Sequence, residues 1–126
     1  SVQYLSYRLT TLGIDSEPIT YPSRLVEKAS FSKKNDLNIF FSLSAQTTVI
    51  CDALTYALDS HSHNVLITQN NYHKFKNKID LSVIIPTFNY EKKKIFLDAQ
   101  ALLMITIDLL INDVAKGLKD YSLHTQ

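Results

Sequence analysis

The sequence of 126 residues is poor in residues that turn, break or cross-link a chain: it has two glycines, three prolines, one cysteine and no tryptophan. A single cysteine excludes an internal disulfide, and no Asn-x-Ser/Thr sequon occurs, so we predict a reducing, cytoplasmic setting. Its composition, 45% hydrophobic and 20% charged, excludes a disordered or collagen-like chain and fits one globular domain.

An excess of charge of either sign is also absent, with 13 basic against 12 acidic residues and a net charge of +1. These residues alone are therefore not expected to bind DNA or an acidic membrane surface. The longest apolar stretch, residues 101–111, is interrupted by Asp108 and is shorter than the roughly 20 residues a bilayer span requires. It predicts a buried helix, and no basic flank with an apolar core marks a signal peptide.

Apolar residues at spacings of three and four predict four helices. The first covers residues 2–12 and is ended by Gly13, and the second is capped by Ser23. The third is capped by Ser44 and extends to about Ser60. The last covers residues 98–116 and is ended by Gly117, so the polar tail 118–126 is expected to fray.

Short apolar runs between these helices predict strands. Residues 18–22, bounded by prolines, form an edge strand or a loop, whereas residues 37–43 read as a central strand covered on both faces. Residues 65–68 and 81–85 are two further strands. Strands alternating with helices predict a single α/β domain over residues 1–117, a three-layer α/β/α sandwich with a mostly parallel sheet.

The segment that follows the strand at 37–43 is the candidate binding loop. Ligands of open α/β sheets bind outside the carboxyl ends of the strands, and Ser42, Ser44, Thr47 and Thr48 place hydroxyls there, around the start of a helix. Free N–H groups and the positive end of the helix dipole favour an anion such as a phosphate monoester. A plain helix cap without a ligand is the alternative from this loop alone.

Five stretches in the same order resemble the sugar isomerase (SIS) domain family. They are Leu9-Thr10-Thr11-Leu12-Gly13-Ile14, Asn38-Ile39-Phe40-Phe41-Ser42-Leu43-Ser44-Ala45-Gln46-Thr47, Asn64-Val65-Leu66-Ile67-Thr68-Gln69-Asn70, Lys78-Ile79-Asp80-Leu81-Ser82-Val83-Ile84-Ile85-Pro86, and residues 98–113. The second is similar to the family's Ser-x-Ser-Gly-x-Thr loop. In spacing the chain resembles the C-terminal domain of RpiR-type transcriptional regulators.

The resemblance implies an SIS-like (flavodoxin-like) fold whose phosphosugar is bound by Ser42, Ser44 and Thr47, assisted by the backbone of Ala45 and Gln46. Ala45 stands where the family usually has glycine, which predicts a methyl group where the phosphate approaches the backbone. The family's first strand, with its Gly-x-Gly-x-Ser loop, and the helix-turn-helix of a regulator are expected outside these residues. The implied protein senses a phosphosugar without turnover, as a homodimer, and requires no cofactor, metal or membrane.

Two other functions remain open. A phosphosugar isomerase would need a base, for which His73 or Glu91 in loops after strands are candidates, and a degenerate domain would serve dimerisation only. Tyr4, Tyr7 and the closing helix from Leu102 to Ile111 would form either core or the homodimer interface. Asp59, His61 and His63 have a spacing that could suit a metal, but a solvated turn is the preferred interpretation.

Overall fold

The computed structural model describes residues 1–86 and 99–125, with side chains for residues 1–86 and 101–120. The chain divides into two compact units, one formed by residues 19–88 and one formed by residues 1–18 together with 89–126. No helix in the part of the chain that the structure describes is long and apolar enough to cross a membrane.

The larger unit contains a sheet of three parallel strands. These are β1 (Leu37–Phe41), β2 (His63–Thr68) and β3 (Leu81–Ile84), in the order β1-β2-β3. They confirm the predicted α/β class with a parallel sheet. Among the described strands β2 is central and β1 lies at an edge, so the central position predicted for residues 37–43 is wrong, because no described strand pairs with the other side of β1.

Two helices complete this unit, α2 (Pro22–Ser30) and α3 (Thr48–Asp59). Pro22 is the first residue of α2, where its missing N–H costs nothing, and Tyr21 is the N-cap; the predicted cap at Ser23 is therefore wrong. The preceding residues 18–21 form no strand, which leaves the loop alternative. The core contains side chains from both helices, the sheet and two connecting segments, namely Ala29, Phe40, Ala45, Ala53, Leu54, Ala57, Leu66 and Phe75.

The smaller unit contains α1 (Val2–Thr11) and α4 (Ala99–Thr125). The predicted end of α1 is confirmed: Gly13 has φ 79° and its N–H bonds Thr10 O, while the N–H of Ile14 bonds Leu9 O. These two bonds form a Schellman motif, which glycine closes without steric cost. Arg8 on α1 pairs with Asp108 on α4 at 2.6 Å.

The helix α4 departs from its prediction in two ways. It continues through Gly117 to Thr125, so the predicted stop at Gly117 and the frayed tail after it are wrong. A glycine in a helix interior costs only about 1 kcal/mol and does not by itself end a helix. Its apolar stretch is also only partly buried, since Leu103 and Ile107 are buried whereas Ile105 and Leu109 are exposed.

Candidate functional site

The candidate loop lies at the carboxyl end of β1, between that strand and α3. The predicted cap at Ser44 is wrong, because α3 begins at Thr48 and its N-cap is Thr47. The chain therefore makes a tight turn over residues 42–47 before it becomes helical. This turn brings all five residues implied by the resemblance together at the start of α3.

The serine hydroxyls shape this turn. Ser42 Oγ accepts a hydrogen bond from the N–H of Ala45 at 3.1 Å, and Ser44 Oγ accepts one from the N–H of Gln46 at 3.2 Å. A hydroxyl that accepts one bond still has its own hydrogen to donate. Both serines can therefore hold the turn and donate to an anion at the same time.

Ala45 has the backbone conformation that a glycine would favour, with φ 55°. Its methyl group is buried, at 3% exposure, in the core cluster that also contains Phe40 and Leu54. The left-handed backbone therefore directs this methyl into the protein interior. The alanine bears a conformational cost of about 1 to 2 kcal/mol, which burial of its methyl offsets in part.

Thr68 and Asn70, at the end of β2, anchor the turn, and neither was among the predicted site residues. Thr68 Oγ1 donates to Leu43 O at 3.0 Å, and the N–H of Gln69 donates to the same oxygen. Asn70 Nδ2 donates to Ser44 O at 2.8 Å. The Ile-Thr-x-Asn ending of that strand is a sequence signal for these two residues, but it was interpreted only as part of the resemblance to the SIS family.

These anchors also orient the N–H groups of the turn. The C=O and N–H of one trans peptide point in opposite directions, and the described residues contain no cis peptide bond. Fixing the carbonyls of Leu43 and Ser44 toward β2 therefore aims the N–H groups of Ser44 and Ala45 away from it. Thr68 and Asn70 thus set the direction of the loop amides.

The start of α3 is electrostatically suited to an anion. The side chain of Thr47 makes no capping hydrogen bond, and the first turn of α3 contains no acidic residue. The first N–H groups of a helix have no partner within it, and the helix dipole adds partial positive charge there. Gln46, Thr47 and Thr48 are exposed beside these groups, so a phosphate could reach both amides and hydroxyls.

His73 does not lie on the rim beside this loop, and its predicted position there is wrong. Its ring is buried, at 5% exposure, because the segment between β2 and β3 folds inward with Phe75 in the core. Nε2 donates to Ser82 Oγ at 2.8 Å, and Nδ1 accepts the N–H of Phe75 at 3.2 Å. Burial, aided by the positive charge of Lys76, lowers the pKa of His73 below its usual value.

The other sequence candidates are Glu91, the histidines of residues 59–63 and Cys51. Glu91 lies outside the described residues. His63 donates to Asp80 at 3.0 Å; this bond and that from the N–H of Asn64 lower the pKa of the Asp80 carboxyl. In the described part of the chain no three histidine, cysteine or acidic side chains gather as metal ligands. Cys51 packs against the core, as predicted.

Comparison with solved structures identifies the fold. The NanR protein of Vibrio vulnificus complexed with ManNAc-6P matches 95% of this chain with a TM-score of 0.77 at 21% identity. The sugar isomerase domain of an RpiR transcription factor from Sphaerobacter thermophilus matches 98% of it with a TM-score of 0.75 at 19% identity. The chain covers 46% of the NanR chain, about half of its length, and 67% of the second.

Comparison of sequences finds no relative: no family model matches the chain, and no curated protein matches it. The structural likeness, at identities near 20%, shows the fold. The chain has an α/β fold like that of sugar isomerase domains, and it resembles the form found in RpiR regulators. The predicted resemblance is thus confirmed as a resemblance of fold.

Proposed function

We propose that this chain is the effector-sensing domain of an RpiR-type transcriptional regulator and that it binds a phosphorylated sugar. The observation that carries the proposal is the start of α3: an N-terminus without a side-chain cap, surrounded by hydroxyls, at the carboxyl end of a parallel sheet. A similar fold is known in complex with ManNAc-6P, a phosphorylated amino sugar. The phosphate is the part of such a ligand that this site suits best.

In this proposal the side-chain hydroxyls of the loop bind the phosphate, and the backbone of the loop positions these hydroxyls. The hydroxyls of Ser42, Ser44 and Thr47 donate to its oxygens, and the backbone N–H groups of the turn at Ala45 and Gln46 set the shape that brings them together. Each charge-assisted hydrogen bond of this kind contributes about 1.5 to 3 kcal/mol. No acidic residue in the first turn of α3 opposes the negative charge.

The site binds without chemistry in this proposal. An isomerase needs a base within reach of the sugar. Of the two candidate bases, His73 already has partners inside the fold at both ring nitrogens, and Glu91 lies outside the described residues. Effector binding instead shifts the balance between two arrangements of a regulator. In this proposal a helix-turn-helix domain contacts the DNA. The protein is cytoplasmic, as expected from the sequence.

The proposed regulator is a homodimer, and α4 offers the surface for it. Ile105 and Leu109 lie one helical turn apart and are 52% and 61% exposed. Apolar side chains on one helix face are typical of contacts between copies. Light scattering of the wild type and of Ile105→Glu tests this: a dimer that the substitution dissociates supports it, and a wild-type monomer at high concentration contradicts it.

The test of binding compares ManNAc-6P, unphosphorylated ManNAc and inorganic phosphate, by calorimetry and by the shift in thermal midpoint. We expect only the phosphorylated sugar to bind and stabilise selectively. Thr47→Val, which removes the exposed hydroxyl at the start of α3, should weaken ManNAc-6P binding roughly tenfold, the equivalent of about 1.4 kcal/mol.

The matched control is Thr55→Val, the same substitution about two turns further along α3. The Thr55 hydroxyl bonds Cys51 O within α3 at 2.8 Å, so its loss should leave affinity unchanged. Equal affinity of the wild type and both variants would remove the start of α3 as the phosphate site. A panel of other sugar phosphates that also fails to bind the folded chain would contradict the proposed function.

A further inference from the structure

His73 is a buried titratable group for which the proposed function has no use. The hydrogen bonds at its two ring nitrogens decide its proton. The partner of Nδ1 is the N–H of Phe75, at 3.2 Å, and a backbone N–H can only donate. Nδ1 therefore carries no hydrogen, and the ring is neutral with its hydrogen on Nε2, which donates to Ser82 Oγ on β3.

The ring holds together a segment that has no helix or strand of its own. Residues 69–80 connect β2 to β3 through turns only. The turns depend on backbone bonds at either side of Phe75: the N–H of Lys76 bonds His73 O, and the N–H groups of Lys78 and Ile79 bond Phe75 O. Phe75 itself is buried in the core of the unit. His73 ties this anchor both to its own segment and to β3.

A proton on Nδ1 would destroy this arrangement. It would place one N–H against another across 3.2 Å and would put a positive charge in a buried position. Asp80 is the only acidic residue of the segment 69–80, and it already pairs with His63 and the N–H of Asn64. β3 (Leu81–Ile84) contains no titratable side chain, and Lys74, Lys76 and Lys78 on the segment itself are cationic.

We propose that His73 is a proton-sensitive latch, whose protonation expels the ring and opens the connection between β2 and β3. The opening releases Phe75 from the core and breaks the turns of residues 69–80 while the rest of the sheet stays paired. This inference is independent of the proposed function, because it needs no ligand. The first residues of the same segment, Gln69 and Asn70, bond the candidate loop, so the opening reaches that loop as well.

The direction of the pH effect follows from linkage. Burial lowers the pKa of His73 in the folded protein from the ordinary value of 6.5. The unfolded chain therefore takes up this proton at a higher pH than the folded chain does. The stabilisation is complete above about pH 6.5 and is lost as the pH falls from there through the folded pKa.

The test uses the full chain, by NMR and by thermal unfolding between about pH 7.5 and pH 5. In the wild type we expect the His73 ring to titrate below the ordinary histidine value of 6.5. We also expect the exchange protection of the Phe75 and Lys78 amides to fall about tenfold across this range, while amides of β2 keep theirs. Titration of His73 at or above that ordinary value, or unchanged protection of these amides, would overturn the inference without need of a variant.

Two substitutions remove the titration and keep one bond each. In His73→Asn the side-chain oxygen can accept the N–H of Phe75, and in His73→Gln the amide can reach Ser82. Both should flatten the dependence of thermal midpoint on pH, whereas His61→Asn, at an exposed turn with φ 61°, should keep the wild-type dependence. The same steep dependence in all four proteins would contradict the latch.

Discussion

Both ends of the parallel sheet contain serine and a second polar residue type, asparagine or threonine, but the hydrogen bonding of these side chains differs between the ends. At the amino end, Asn38 Nδ2 lies within 3.1 Å of Ser62 Oγ and Asn64 Oδ1, and Asn64 Nδ2 donates to Ser62 O. Asn64 is completely buried. At the carboxyl end, Ser44 and Thr47 are exposed beside a helix start whose N-cap makes no side-chain bond.

The difference shows that a cluster of serine and asparagine is not by itself a binding site. The side chains of the amino-end polar network, formed by Asn38, Ser62 and Asn64, use their donors and acceptors in hydrogen bonds within the protein. None of the described buried side-chain polar atoms lacks a partner. The carboxyl-end loop is held by Thr68 and Asn70 from outside, so its own hydroxyl hydrogens and helix amides stay available. Capacity for a ligand therefore depends on which groups the fold leaves unsaturated.

The largest expected effect comes from breaking the amino-end network. Asn64→Ala removes one of the partners of Asn38 and leaves Ser62 O without its donor, in a buried position. We expect a loss of about 2 to 4 kcal/mol in the free energy of unfolding, measured with urea. The exposed Asn71→Ala should change it by less than about 0.5 kcal/mol.

If the variant stays folded, its affinity for ManNAc-6P should equal that of the wild type, because the network lies at the opposite end of the strands. A large loss of affinity with little loss of stability would contradict the division between the two ends.

The second expected effect concerns the anchor of the carboxyl-end loop. Asn70→Ala removes the donor to Ser44 O, so the peptide that bears the N–H of Ala45 is held only by the bond from that N–H to Ser42 Oγ. We expect an affinity for ManNAc-6P about fivefold lower, with less than about 1 kcal/mol lost in stability, since Asn70 is half-buried. Calorimetry measures the first quantity and urea unfolding the second.

The neighbouring Asn71→Ala is again the control, and it should bind as the wild type does. Reduced stability of Asn70→Ala with unaltered affinity would assign Asn70 a purely structural role. It would also argue that the loop amides do not need its support.

The smallest expected effect is a difference in stability between glycine substitutions at two residues that have the same backbone conformation. Ala45 and His61 both have positive φ, at 55° and 61°, but the Ala45 methyl is buried in the core and the His61 side chain is exposed. His61→Gly should stabilise the protein by about 0.5 to 1 kcal/mol through relief of strain.

Ala45→Gly should change stability by less than about 0.5 kcal/mol, because the same relief is offset by the lost burial of a methyl group, about 0.8 kcal/mol. Equal stabilisation by both substitutions, in urea unfolding, would show that the Ala45 methyl contributes nothing to the core.

The sequence was sufficient to predict the strands because each is a short run of apolar residues between polar turns, as at residues 37–41 and 65–68. It also predicted the end of α1, where Gly13 closes a local motif. The start of α3 was mispredicted because Ser42, Ser44 and Thr47 are all good caps. Which of these three residues caps the helix depends only on the distance that the chain must cross from the end of β1 to the start of α3.

Non-local packing explains the other errors. His73 is buried because Phe75 enters the core, and its partner Ser82 is on another strand. The anchor between Asn70 and Ser44 joins residues 26 positions apart. The spacing of residues along the chain contains no information on such contacts. The residues of the candidate loop could therefore be proposed as a group from the sequence, whereas the contacts that hold the loop could not.

The most direct test of the central claim is an amide NMR titration of the wild-type chain with ManNAc-6P. If the carboxyl-end loop binds the phosphate, the largest shifts will come from the amides of residues 44–50, and those of Asn38 and Asn64 in the amino-end network will not move. Unphosphorylated ManNAc should leave both groups of amides unchanged. Shifts concentrated at the amino end, or saturation by ManNAc-6P without any shift in residues 44–50, would contradict the account.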